Sequence, residues 1–200
     1  MERPTSIILE GAHVRLEPLA GAHRDDLVAA AALDPEIFRY MGMNIVDHGW
    51  DAWLREALDG VAAGTYVAWA TVDRASGRAV GSTRYGDIAP EHGRLEIGWT
   101  WIAPSHQRTA VNTEAKLLQL THAFETLGAT RVALKTDARN LRSQAAIERL
   151  GAVREGVLRR HIRLPDGFIR DTVYYSILSD EWPAVKARLS ERLGRDGRPA

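Results

Sequence analysis

The hydrophobic and polar positions change period several times along the chain, and each change marks an element. Val14-Arg15-Leu16-Glu17 alternates as a strand does. Residues 22–33 are alanine-rich and read as a helix stopped by Asp34-Pro35. A second helix is predicted over 47–63, with Asp47 as its cap and Gly64 as its stop. Residues 66–72, 79–87 and 94–102 then read as three successive strands. Arg74-Ala75-Ser76-Gly77 and Ala89-Pro90-Glu91-His92-Gly93 make the turns between them.

Leu117, Leu120, Phe124 and Leu127 form a stripe at helical spacing and predict a helix over 113–127, ended by Gly128. Residues 130–136 follow as a strand. Asn140 caps a short helix whose Ala146, Ile147 and Leu150 face a core, and Gly151 ends it. Residues 153–164 and 168–178 form a hairpin about Pro165-Asp166-Gly167, and a last helix covers 180–193. The order β-α-α-β-β-β-α-β-α-β-β-α places three antiparallel strands ahead of a βαβ crossover. That is a mixed α/β (α+β) fold, neither a doubly wound sheet nor a TIM barrel. Residues 1–193 read as one domain, and 194–200, rich in Gly, Pro and charge, as a flexible tail.

Composition narrows the function. With 45% hydrophobic and 26% charged residues the chain has an ordinary globular balance, and 200 residues bury a core without staples. The absence of cysteine removes disulfides, thiolate metal sites and a cysteine nucleophile, and it fits a cytoplasmic location. Twenty-six basic residues balance 26 acidic ones, which argues against nucleic-acid binding. The apolar run Ile7-Ile8-Leu9 is too short for a signal peptide, and no run approaches a membrane span. The histidines lack metal-ligand spacing, so no metal is expected; only His106 borders a chemically interesting loop.

That loop lies in residues 95–116, LEIGWTWIAPSHQRTAVNTEAK. A strand ends at Ile102 and a helix is predicted to begin near Asn112 or Thr113. A helix start presents unpaired amides and a positive dipole end, which together make an anion site. Thr109 and Thr113 add hydroxyls and Arg108 a guanidinium. Neither a P-loop nor a GxGxxG signature occurs, so nucleotide hydrolysis and dinucleotide binding drop out.

Gln107-Arg108-Thr109-Ala110-Val111-Asn112 occupies the six positions of a Gln/Arg-x-x-Gly-x-Gly/Ala pyrophosphate loop, followed by Thr113-Glu114-Ala115. Asn140-Leu141-Arg142-Ser143 through Gly151-Ala152 and Tyr174-Tyr175-Ser176-Ile177-Leu178 through Glu181-Trp182 supply further motifs in order. With these the chain resembles the GNAT superfamily of N-acetyltransferases, in its RimJ/RimL-like branch, over roughly residues 8–190. The resemblance implies a mostly antiparallel seven-stranded sheet flanked by helices and splayed at an acetyl-CoA site. The loop departs from the pattern: Ala110 and Asn112 stand where glycine is usual, and glycine is what lets a backbone take positive φ against a phosphate.

The resemblance also implies roles. Acetyl-CoA is the cosubstrate, held by Gln107, Arg108, Thr109, Ala110, Val111, Asn112, Thr113 and Asn140, with Arg142 and Arg149 available to the phosphates. The acyl contacts fall at Trp101 and Ile102, at the end of a bulged strand. Glu96 is the candidate base, with Asp87 and Asp171 as rivals, and Arg170-Asp171 reads alternatively as an ion pair. By strand alternation Glu96 shares a face with Gly98, Thr100 and Ile102, while Leu95, Ile97, Trp99 and Trp101 point away. Ser143 matches a position near the CoA sulfur, or else it joins Asn140 in capping the helix. Trp50 and Trp53, near residues 40–44, either wall the acceptor pocket or pack helix on helix. The acceptor is an amine, on a protein N-terminus or a small molecule, and a homodimer is plausible for the branch. A non-catalytic acyl-CoA-binding module on the same fold is the alternative.

Overall fold

The computed structural model describes residues 1–196. Its elements are β1 (Leu9–Glu10), β2 (Val14–Pro18), α1 (Arg24–Ala32), α2 (Ile45–His48), α3 (Trp50–Ala62), β3 (Val67–Asp73), β4 (Ala79–Ala89), β5 (Arg94–Ile102), α4 (Ala110–Thr121), β6 (Arg131–Asp137), α5 (Leu141–Leu150), β7 (Val153–Arg163), β8 (Ile169–Leu178) and α6 (Trp182–Asp196). Part of the tail expected at 194–200 is thus the end of α6; residues 197–200 lie outside the described residues.

One sheet runs in the order β1-β2-β3-β4-β5-β6-β8-β7. Only β5 and β6 are parallel, as α4 crosses between them; every other pair is antiparallel. The sheet has eight strands where seven were expected. The extra one is the two-residue β1, folded onto β2 through Leu9↔Leu16 and Glu10↔Arg15. Two layers of helices cover it. Trp53 of α3 and Phe38 pack on Trp101 across one face. On the other face the Tyr85 hydroxyl donates to the Gln119 carbonyl of α4, and Trp182 of α6 stacks on Phe124. Leu16, Leu27, Trp53, Trp69, Tyr85 and Tyr175 are among the fully buried side chains of a single continuous core. Each contributes about 1.5–3 kcal/mol of burial.

Three element ends differ from the periodicity, each for a local reason. The helix expected over 47–63 is two helices. Buried Asn44, not Asp47, caps the first by accepting the amides of Val46 and Asp47 at 3.0 and 2.8 Å. Gly49, at φ +77°, breaks it and opens α3. The main helix begins two or three residues earlier than expected, at Ala110, because Thr109 caps it. It ends in one wide π turn, His122–Thr126. Ile147 and Leu150 of α5 are buried as their spacing predicts, while Ala146 is half-buried.

Candidate active site

β5 and β6 pair only at Arg94↔Arg131, Leu95↔Val132 and Glu96↔Ala133. Beyond Glu96, β5 runs on to Ile102 and β6 to Asp137 with no pairing between them, so a wedge opens whose walls are unpaired strand edges. On its other side β5 carries a bulge against β4. Ser82 pairs with Trp101 and Arg84 with Gly98, leaving Trp99 and Thr100 together opposite Thr83. Trp99 takes the positive φ, +51°, that this extra residue requires. A bulge bends its strand and sharpens the twist, which fits the parting from β6.

The bulge corrects the alternation expected for β5. Glu96 and Gly98 do share a face. Past the extra residue the faces exchange, so Trp99 and Trp101 join Glu96, and Thr100 turns to α4. The Trp99 ring lies under Gly86, where an added Cβ would come within 2.5 Å of it, and Gly86 pairs with Glu96. Thr100 instead receives a hydrogen bond from Lys116 of α4 at 2.7 Å. Trp101 is wedged edge-to-face between Phe38 and Trp53, so it can offer a ligand only its main chain. Ile102 is likewise buried.

Glu96 stands at the closed end of the wedge, 3% exposed. Its Oε2 lies 2.7 Å from Lys135 Nζ on β6. Burial raises its carboxyl above the ordinary range, and Lys135 pulls it partly back. The rival acids are engaged elsewhere. Asp87 is mostly exposed and paired with Arg94. Asp171 Oδ1 accepts the Arg160 amide at 2.7 Å. Arg170 and Asp171 make no pair with each other: the Arg170 guanidinium donates to the Tyr40 carbonyl at 3.0 Å and to Thr172 Oγ1 at 3.2 Å.

The loop at the wedge mouth resolves the missing glycines. Its left-handed residue is Arg108, at φ +62°, while Ala110 and Asn112 lie within the first turn of α4. Helical geometry needs no glycine there, and the first-turn amides have no partner within the helix. Thr109 Oγ1 caps the helix, accepting from Val111 N at 3.3 Å and donating to the His106 carbonyl at 2.8 Å. Val111 and Thr113 are buried, which takes the Thr113 hydroxyl off the expected anion face. Gln107 is a brace: its Nε2 donates to the Ile102 carbonyl at 3.0 Å and its Oε1 accepts from Arg142 at 3.1 Å. Restoring glycine by Ala110→Gly or Asn112→Gly is therefore expected not to tighten CoA binding by calorimetry. Each should instead cost about 0.5–1 kcal/mol in urea unfolding; a clear gain in affinity would overturn this account of the loop.

α5 closes the site on the β6 side. Asn140 caps it, accepting the Ser143 amide at 3.0 Å, so Ser143 enters the cap through its main chain and keeps its hydroxyl for other partners. Arg142 and Arg149 are exposed, two turns apart along α5. A cleft of about 340 Å³ lies between the Asp34–Tyr40 segment and the start of α5, lined by Tyr40, Arg139, Asn140 and Arg142 among others. Trp53 and Trp50 are core packing, their rings 5.5 Å apart.

Sequence reasoning missed four charged side chains here. Lys135 pairs with Glu96 across a parallel strand junction, a relation without sequence signature. Arg84, wholly buried beside Trp53, Tyr66 and Trp99, donates to Glu56 at 2.6 Å. It was legible only as the lone charge in the run Val80-Gly81-Ser82-Thr83-Arg84-Tyr85. Lys116 and Glu114, both buried in α4, are the others.

Residues 13–153 match the family model described as the acetyltransferase (GNAT) domain. A GCN5-related N-acetyltransferase from Brucella melitensis is similar at 31% identity and TM-score 0.89, over 99% of this chain and 90% of that one. An assigned acetyltransferase from T. thermophilus is similar at 44% identity and TM-score 0.81, over 95% and 97%. Mycobacterium smegmatis RimJ in complex with CoA-disulfide shares the fold at 22% identity and TM-score 0.76, over 92% and 91%. No protein of curated function matches the sequence.

Proposed function

The chain belongs to the GNAT acetyltransferase family and is an acetyl-transferring enzyme, and from that premise we propose that it moves the acetyl group of acetyl-CoA onto a primary amine by direct attack. The observation that carries this reading is the wedge itself. A buried carboxylate stands at its apex, a bulged strand edge forms its wall, and a helix N-terminus sits at its mouth.

The residues fit that cosubstrate. The first-turn amides of α4 and the Arg108 guanidinium suit the diphosphate. Arg142, and Arg149 two turns further on, offer charge to the remaining phosphate. The pantetheine amides take the place of the missing β6 partner along the unpaired edge of β5. Main-chain amides at residues 99–102 then face the thioester oxygen, where negative charge develops.

The amine nitrogen attacks the carbonyl carbon and forms a C–N bond, and the oxyanion is held by those amides. Glu96 takes the amine proton, directly or through one water. Its raised carboxyl makes it a better base than an ordinary glutamate, and Lys135 keeps it ionised near neutrality. The C–S bond then breaks and its electron pair leaves on sulfur. A thiol of pKa about 8.5 leaves readily, so a hydrogen bond from Ser143 adds little. The acceptor enters by the cleft at Tyr40 and Arg139, and it is an amine of the kind carried by a protein N-terminus or a small molecule.

The test is CoA calorimetry together with thiol release from acetyl-CoA, over a panel of N-terminal peptides and small amines. CoA binding with turnover of at least one acceptor class is expected, and the responsive class names the acceptor. Binding without turnover anywhere on a broad panel would sink the catalytic reading; no binding at all would sink the wedge as the cosubstrate site.

A further inference from the structure

Lys116 is buried in α4 beneath the bulge, on the face of the sheet away from Glu96. Its ammonium donates to three neutral oxygens: Thr83 Oγ1 at 3.0 Å, Thr100 Oγ1 at 2.7 Å and Gln119 Oε1 at 2.9 Å. Three acceptors match the three N–H bonds of an ammonium. Thr83 and Thr100 are the two sides of the bulge, and their hydroxyls lie 2.8 Å apart. Because an ammonium only donates, both hydroxyl protons must turn elsewhere. The Thr100 proton is directed to the Gly98 carbonyl, 3.4 Å away within the bulged stretch. An apolar side chain would fill this space without the cost of an uncompensated buried charge. The three donors therefore point to a use.

We propose that Lys116 is a positioning residue for acyl transfer: it draws Thr83 and Thr100 onto α4 and so holds the β5 bulge in the shape that aims main-chain amides at the thioester. It also ties that shape to the helix whose first turn receives the diphosphate. The inference rests on the reading of the wedge as the acetyl-CoA site.

Burial pushes the Lys116 ammonium down to about 7. The titratable groups nearest to it are Tyr85 of β4 and His122 of the π turn. Burial raises the tyrosine and lowers the histidine, so neither changes charge as the pH passes through Lys116's range. β5 contributes only Thr100 and α4 only Gln119 to the cluster, and the Glu114 carboxylate is turned to the amides of residues 12–14. Loss of the proton leaves two N–H bonds for three acceptors. The bulge then loosens, and its hold on the thioester weakens, as pH rises through about 7.

The test reads the infrared carbonyl stretch of bound ¹³C-labelled acetyl-CoA beside kcat, below and above that pH. In the wild type the stretch should be shifted to lower frequency at low pH, with the shift shrinking as pH rises. Lys116→Met should abolish the shift and its pH dependence and lower kcat at least about tenfold. CoA affinity should change less than about threefold, and the melting temperature should stay level or rise because a buried charge is gone. Thr100→Val, which removes one acceptor and keeps the shape, should reproduce the spectral and kinetic losses even if the lysine variant does not fold. An unchanged shift and kcat in either variant, or a kcat that falls only in step with melting temperature, would overturn the proposal. A wild type with no carbonyl shift would bring down the placement of the thioester, and this proposal with it; an intact shift in a variant would remove only the role of Lys116.

Discussion

Glu96→Gln is expected to lower kcat for acetyl transfer by about two to four orders of magnitude, the usual worth of a positioned general base. CoA affinity should hardly change, since the side chain lies at the apex of the wedge rather than at its mouth. The wild-type kcat/KM should rise with pH through a midpoint above the ordinary glutamate range, because burial favours the protonated carboxyl, and the variant should lose that rising limb. The sign for stability runs the other way. A carboxyl that holds its proton more tightly folded than unfolded stabilises the fold below its unfolded value, and that stabilisation is lost as pH rises through the raised one. At neutral pH ionised Glu96 is thus a cost, and the glutamine variant should melt no lower than the wild type. Gly98→Ala is a companion without any change of charge. Its Cβ would stand 2.8 Å from Glu96 Oε1, so the carboxylate must move and kcat must fall. Turnover and pH profile unchanged in Glu96→Gln would transfer the base role to another group.

Glu114→Gln should be the most costly single change to the fold outside the apolar core. The Glu114 carboxylate accepts three amides, from Ala12 at 2.8 Å, His13 at 2.6 Å and Val14 at 2.7 Å. It lies 7% exposed at the second turn of α4. A glutamine offers one oxygen and turns an NH2 group toward the same donors, leaving at least one buried N–H unmet. The expected loss is on the order of 3 kcal/mol of unfolding free energy in urea. CoA affinity should also weaken several-fold, because the β1–β2 turn is what this side chain pins against the helix that receives the diphosphate. The same contact explains Gly11: a Cβ there would collide with the Glu114 carboxyl carbon. A loss below about 0.5 kcal/mol, the level of an ordinary surface change, would show the three bonds to be incidental.

Much of this molecule was legible in the chain. The turns at 73–78, 89–93 and 165–167, the cap at Asn140 and the stops at Gly64, Gly128 and Gly151 are local chemistry, and they fall where the sequence placed them. So does the strand leading into a helix N-terminus that carries the anion site. What failed did so where two positions of equal local merit competed. Asn44 outranked Asp47 as a cap only because it is buried among neighbours that sequence does not name. Ala110 and Asn112 looked like defective glycines only while the helix was taken to start after them.

Periodicity and turn residues determined the succession of elements, the mixed α/β class and the segment from β5 into α4 that offers an anion site, since each depends on residues within a few positions of one another. The faces of β5 past Gly98, the pairing of Glu96 with Lys135, the Glu114 anchor and the Lys116 cluster were decided by the tertiary structure alone. One extra residue at Trp99 exchanges the two faces of a strand, and no pattern read along the chain shows where a partner strand has one residue fewer. The charged contacts join residues 39 positions apart for Glu96 and Lys135 and about 100 apart for Glu114 and the β1–β2 turn. Their energies depend on burial that exists only once the sheet and helices have closed around them.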